Sequence, residues 1–209
     1  MASAVLDQRA LTTERALPQP GGRAPAPAEL AVVQAFLNSF FDIEREWGAD
    51  LLATPQALQA WFARRGMLSP ASARLTAADG VRAITVRDGL RSLIGADVHG
   101  MSTSPGDPVT ALNAAVGDAL LRVQFGLDGP QLIPAGRGPL DRALGALAAI
   151  AVGAMLDGRW RRLKACPGDQ CGWAFYDHSR NNSGRWCSMA VCGGRSKART
   201  HYRRHRAGR

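Results

Sequence analysis

The sequence predicts an α+β fold: a mostly helical N-terminal domain with one small β-hairpin, joined to a C-terminal module organised by cysteines. Three observations carry this. Apolar residues recur at helical spacing through much of residues 30–156, two short strand-like runs flank Asp128-Gly129, and all four cysteines of the 209-residue chain fall in its last quarter. The hydrophobic content of 46% suffices for a real core.

Residues 1–28 read as disordered, because the Pro-Gln-Pro-Gly-Gly run and Pro25 and Pro27 leave nothing periodic to bury. Leu30, Val33, Leu37, Phe40 and Phe41 then predict an amphipathic helix over 28–46. Thr54-Pro55 is an N-cap followed by proline, and it opens a helix carrying Leu58, Trp61 and Phe62 that Gly66 ends. Thr76 and Asp79 have capping-box spacing before Val81, Ile84, Leu90, Leu93 and Ile94. A Gly/Ser/Pro-rich loop over 100–106 leads to Asp107-Pro108, which starts a helix with Leu112, Val116 and Leu120. Val123 and Phe125 pair across Asp128-Gly129 with Leu132 and Ile133 as the hairpin. Pro139 opens the last helix of the domain, which runs to about Leu156.

Charge divides the chain at the same point. Residues 1–157 hold 13 Arg and no Lys against 15 Asp and Glu, a net of −2. Residues 158–209 hold 11 Arg and 2 Lys against Asp169 and Asp177, a net of +11. Such asymmetry points to a polyanionic partner for the C-terminal part. We therefore expect three segments: disordered 1–28, a helical α+β domain over 29–157, and a basic module over 158–209, the last two folding separately with a junction near Gly158 to Lys164.

Met1 to Gln8 carry no basic stretch followed by an apolar signal-peptide run, and Leu144–Met155 is shorter than the roughly 20 residues of a membrane span. A cytoplasmic location without membrane association is expected, where thiols stay reduced.

That expectation decides how the cysteines are read. Four residues lie between Cys166 and Cys171, fifteen between Cys171 and Cys187, and four between Cys187 and Cys192. Two close pairs across a hairpin-length insert suit tetrahedral zinc, each pair forming a knuckle that presents two thiolates. Two disulfides are the competing reading, disfavoured by a reducing compartment. Within the insert, Trp173, Phe175 and Tyr176 fit a strand and Asn181 to Gly184 a turn, giving a treble-clef-like module that metal binding folds. One structural Zn2+ is expected, with backbone N–H groups of the knuckles donating to the sulfurs. Four thiolates leave no open coordination position, so this metal is not catalytic.

Beyond Cys192, a helix over 195–206 would place Arg195, Arg199, Arg203 and Arg206 within an arc of about 80°, with Tyr202 at its edge and Lys197 and Arg204 opposite. These residues, with Arg180 and Arg185 of the insert, are the candidate nucleic-acid contacts, since arginines meet both phosphates and guanine edges. The N-terminal domain offers little chemistry. Asp42, Glu44, Glu46 and Asp50 read as a solvated acidic face, His99 has no cysteine beside it, and phosphate-loop, dinucleotide and serine-hydrolase motifs are lacking. No catalytic residues are assigned.

The stretch from Cys166 to Arg206 resembles the CGNR zinc-finger family. The likeness rests on Cys171-Gly172-Trp173, Phe175, Asp177, Ser179-Arg180-Asn181, Arg185 to Met189, and Lys197-Ala198-Arg199. The upstream region resembles that family's N-terminal ABATE domain in Phe36-Leu37-Asn38, Pro55 to Trp61, Ala111-Leu112-Asn113 and Leu140. Members are regarded as candidate stress-induced transcription regulators, which implies zinc and DNA binding. The family's Cys-Gly-Asn-Arg reads Cys192-Gly193-Gly194-Arg195 here. Both Asn and Gly tolerate left-handed backbone, so the turn is expected to survive, while capping by the asparagine side chain is lost.

The functional expectation is a DNA-binding regulator whose N-terminal domain senses a small-molecule effector or forms a homodimer. A zinc module that binds RNA or a protein partner is the alternative, and an enzyme in the N-terminal domain is the least favoured reading.

Overall fold

The computed structural model describes residues 19–40, 50–69, 71–95, 107–127, 129–169 and 171–198. Asp42, Glu44, Glu46, His99, the 100–106 loop, Arg199, Tyr202, Arg203, Arg204 and Arg206 therefore lie outside the described residues.

The N-terminal elements are α1 (Leu30–Leu37), α2 (Pro55–Arg64), α3 (Ala77–Leu93), α4 (Pro108–Ala115), β1 (Leu121–Gly126), β2 (Gly129–Pro134) and α5 (Pro139–Leu156). Their ends follow the local chemistry. The Thr54 side chain accepts from Ala57 N–H to cap α2. At the other end Gly66 takes φ +67°, its N–H meeting Ala63 O and that of Met67 meeting Phe62 O, a Schellman closure. The α3 capping box forms with Asp79 in place of a longer acid, Asp79 N–H donating to Thr76 Oγ1 at 3.2 Å and Thr76 N–H to Asp79 Oδ2 at 2.7 Å.

Helix α1 is shorter than expected and buried all round instead of on one face. It ends because Asn38, fully buried, turns its side chain onto Ala174: Nδ2 donates to Ala174 O at 2.9 Å and Oδ1 accepts from Ala174 N–H at 2.7 Å. Around α1 the core gathers Phe36, Trp61 and Phe62, with edge-on ring pairs at 5.4 and 5.2 Å, and the α5 stripe Leu140, Ala143, Leu144, Leu147 and Ala151. As a whole α5 is long and apolar enough for a membrane span, but this stripe is spent on the core.

One expectation is corrected here. Helix α4 stops at Ala115, and Leu120 lies outside it and exposed, because Leu120 O accepts Ala135 N–H at the mouth of the hairpin. The hairpin forms with Leu121 opposite Pro134 and Gly126 opposite Gly129, yet Val123 and Phe125 face outward. Strand β2 packs on α5, while most of β1 stays exposed.

The C-terminal module follows a turn at Trp160–Arg162: β3 (Leu163–Ala165) pairs antiparallel with β4 (Ala174–Tyr176), and a wide helical turn over Met189–Gly193 continues as α-helix over 194–198. Strand β4 joins the two halves. Its alternation sends Ala174 and Tyr176 into the helical core and Phe175, with the preceding Trp173, into a second cluster around the cysteines. Trp160 and Leu163 also belong to the helical core.

Residues 19–28, placed by the sequence within a disordered segment, are packed. Ala26 is buried with its N–H on Gln34 Oε1 at 2.7 Å, and Arg23 reaches across to the module. Proline and glycine give this stretch no periodicity, and side-chain hydrogen bonds to distant backbone hold it instead.

Candidate metal centre and nucleic-acid interface

The four cysteine sulfurs lie within 4.8 Å of one another, and none is in a disulfide. Cys171 and Cys187 Sγ are 3.6 Å apart, Cys187 and Cys192 Sγ 3.7 Å. A tetrahedron with Zn–S bonds of about 2.3 Å has sulfur–sulfur edges of about 3.8 Å. Packed this closely, the thiols compete for protons: hydrogen bonds from Cys171 and Cys187 hold the Cys166 thiol well below its ordinary range and push those two donors up. A divalent cation removes the competition by letting all four ionise. The residues fit one structural zinc ion.

Local sequence builds both knuckles. In the first, Cys171 N–H donates to Gly168 O and Cys166 N–H to Trp173 O, both at 2.9 Å. Gly168 is obligatory, since a Cβ there would stand 3.0 Å from Cys192 Sγ and 3.2 Å from Cys171 Cβ. In the second, Ser188 caps the helical turn through Val191 N–H, and its carbonyl accepts from both Cys192 and Gly193 N–H. Cys192 thereby sits in the first turn of the terminal helix.

The insert is held by a group the sequence reading did not assign. Lys164 Nζ donates to Asp177 Oδ2 at 2.7 Å, Asn182 O at 2.7 Å and Gly184 O at 3.0 Å. Asp177 also accepts from Ser179 and Gly184 N–H. Burial alone would raise this carboxyl, but the bonds from Lys164, Ser179 and Gly184 outweigh it and hold the carboxyl well below its usual range. Its ionised form therefore contributes stability above about pH 4, the unfolded value, and the contribution fades as pH falls below it. Three acceptors around one ammonium match its three rotatable donors, which a planar guanidinium cannot reproduce. The signal was available: Lys164 is one of only two lysines beside 24 arginines. Asp177→Asn is expected to destabilise the module by about 2–3 kcal/mol by stranding Lys164, measured by denaturant titration at pH 7 with zinc present.

This bracing sets loop 178–186 rigidly outward, with Arg162 Nη1 tying Asp177 O and Ser179 O from beneath. Arg180 and Arg185 on the loop, and Arg195 and Lys197 after the second knuckle, are all exposed. Among the described residues none of these four is in a salt bridge. Arg161 adds a fifth exposed cation that the sequence reading passed over, beside the loop where Asn182 Nδ2 meets its carbonyl.

Comparison with known families gives this arrangement a context. Residues 162–205 match the CGNR zinc finger, and residues 30–158, more than half of the chain, match ABATE, described as "Putative stress-induced transcription regulator". The chain belongs to the ABATE family. Its four clustered cysteines are those of the CGNR finger. No curated protein is matched by this chain.

The finger's altered signature can now be read in structure, and it corrects an expectation. Gly194 is right-handed helical, φ −62° and ψ −47°, so left-handed tolerance is irrelevant there. Capping falls to Ser188, six residues upstream. The tighter of the two glycines is Gly193, which is buried and whose added Cβ would lie 3.0 Å from the Met189 thioether, while Gly194 has only Met189 O near, at 3.8 Å. Gly194→Asn is accordingly expected to be tolerated and to stabilise the finger by about a few tenths of a kcal/mol, read as a small rise in its melting temperature.

Proposed function

We propose that this ABATE-family protein is a DNA-binding transcription regulator in which zinc fixes two cationic elements, loop 178–186 and the helical segment that begins at Met189, against a duplex. The observation that carries this reading is the set of exposed, unpaired cations Arg161, Arg180, Arg185, Arg195 and Lys197 on a segment that keeps a net charge of about +9 after four thiolates and one Zn2+ are counted. Arg199, Arg203, Arg204 and Arg206 extend the same basic segment. Phosphate contacts from these residues would position the protein, and arginines entering the groove would read guanine.

The proposal assigns the ABATE domain to sensing a small-molecule effector or to homodimerisation, and it places the protein in the cytoplasm, away from membranes. No catalysis is assigned, since four thiolates leave the ion no position for water or substrate.

The test is equilibrium binding to a labelled random duplex and to single-stranded RNA across a salt series. Sub-millimolar duplex binding at moderate salt is expected, with the log–log slope gaining about 0.9 per phosphate contacted. Preference for single-stranded RNA would move the assignment to RNA. Salt-independent or undetectable binding to both would end it.

A further inference from the structure

We infer that the zinc site is completed by the N-terminal half of the chain: Arg23 and Arg91 balance the charge of the four-thiolate centre, and the ion in turn fixes residues 19–28 as a strap across the finger.

Four thiolates around Zn2+ carry a net charge of about −2 in a mostly buried site, where nearby cations act through little solvent. Within the finger, Lys164 is committed to Asp177, and Arg180, Arg185, Arg195 and Lys197 point to solvent. The two cations that close on the knuckle backbone come from elsewhere. Arg23 lays one guanidinium on three carbonyls at once: Nε on Cys187 O at 3.0 Å, Nη2 on Trp186 O at 3.1 Å and Nη1 on Tyr176 O at 3.3 Å. Its Cζ also lies 4.9 Å from the Phe175 ring centre, against the cysteine cluster. These carbonyls converge only while the second knuckle is closed, so the fork that binds them senses closure.

Arg91, 1% exposed on α3, approaches the other knuckle. Its Nη2 donates to Gly172 O at 3.0 Å, the residue after Cys171, and its Nη1 to Leu37 O at 2.8 Å. Gly172 permits this approach, with φ +57° and an added Cβ that would stand 3.0 Å from Nη2. Among the described residues Arg91 has no salt bridge, and the nearby Asp88 is paired with Arg87. Asp88 and Cys171 both act on this buried cation, and the thiolate centre adds to the anionic charge it needs.

The strap is fitted to the finger beyond Arg23. Trp173 Nε1 donates to Gln19 Oε1 at 3.1 Å, and His178 Nε2 meets Pro25 O at 2.9 Å. Gly21 passes so close to Ser188, the cap of the second knuckle, that a Cβ would stand 2.7 Å from its Oγ. An opened knuckle removes the acceptors of Arg23 and the seat of Gly21 together.

The test uses the full chain and zinc itself, competed against a chromophoric chelator. Arg23→Gln is expected to weaken zinc binding about tenfold or more, the usual scale for a residue supporting metal ligands, and Arg23→Lys to recover part of the loss by restoring charge. In the parent protein, trypsin cleavage after Arg23, followed by mass spectrometry, should be at least about tenfold faster once zinc is chelated, as expected for a segment released from a folded seat. Zinc affinity of Arg23→Gln within twofold of the parent overturns the inference, as does cleavage at the same rate with and without zinc. Equal loss in the Gln and Lys variants overturns the charge argument. If the Gln variant fails to fold, the cleavage measurement on the parent decides.

Discussion

Replacing Cys187 by Ser should release the zinc ion and unfold residues 163–198 while α1 to α5 remain helical. Apparent zinc-binding free energies of structural sites are about 10–16 kcal/mol, and in a module this small that energy is folding energy. The β3–β4 ladder has three residue pairs, and the cluster that covers it is built from Cys166, Trp173, Phe175, Cys187 and Cys192. Without the ion that cluster has only Trp173, Phe175 and the partly buried Trp186 to hold four crowded sulfurs together. The helical domain keeps Leu30, Phe36, Trp61, Phe62, Leu144 and Leu147, which bury one another in the larger core cluster. It does lose Trp160, Leu163, Ala174 and Tyr176 from its edge, so its own melting temperature should fall. Elemental analysis should give one zinc per chain in the parent and none in the variant, with hydrogen exchange accelerating over 163–198. Two disulfides and no stoichiometric metal in the isolated parent would contradict the assignment.

The second large effect concerns the arginines. Arg180→Ala and Arg185→Ala should each weaken binding to all duplexes alike and lower the salt slope by about 0.9, because a braced loop that presents guanidinium groups outward suits phosphates. Any of Arg195, Arg199, Arg203 and Arg206 that pairs with guanine should instead cost about 1–3 kcal/mol at one base position on replacement by Ala. Fluorescence anisotropy with matched and mutated duplexes separates the two patterns. Asp177→Asn provides the control: it should loosen the Arg180–Arg185 loop with zinc still bound, reducing affinity without removing a single exposed cation.

Much of this was legible because local chemistry decided it. Thr54-Pro55, Thr76 with Asp79 and Pro139 mark helix starts through contacts three residues away, and the structure uses each as the sequence implies. The cysteine spacing gave the cluster for the same reason, since a knuckle is a local turn. What stayed hidden depends on partners far along the chain. Arg23 meets Cys187 across 164 positions, and Asn38 meets Ala174 across 136. No periodicity encodes such a pairing, so a packed strap read as disorder and a buried asparagine as part of a longer helix. Val123 and Phe125 marked the hairpin through their alternation, but that pattern does not say what covers them, and both are exposed. Gly194 shows the limit of reading a signature by residue type, since the backbone there is right-handed helical and needs no glycine.

The most direct test of the central claim is selection of the zinc-loaded full chain against random duplexes, repeated after chelation. A regulator whose DNA-binding elements are fixed by zinc should enrich one motif containing guanine with zinc bound and lose that enrichment when zinc is removed. Uniform recovery of all sequences, or equal enrichment with and without the metal, would contradict it.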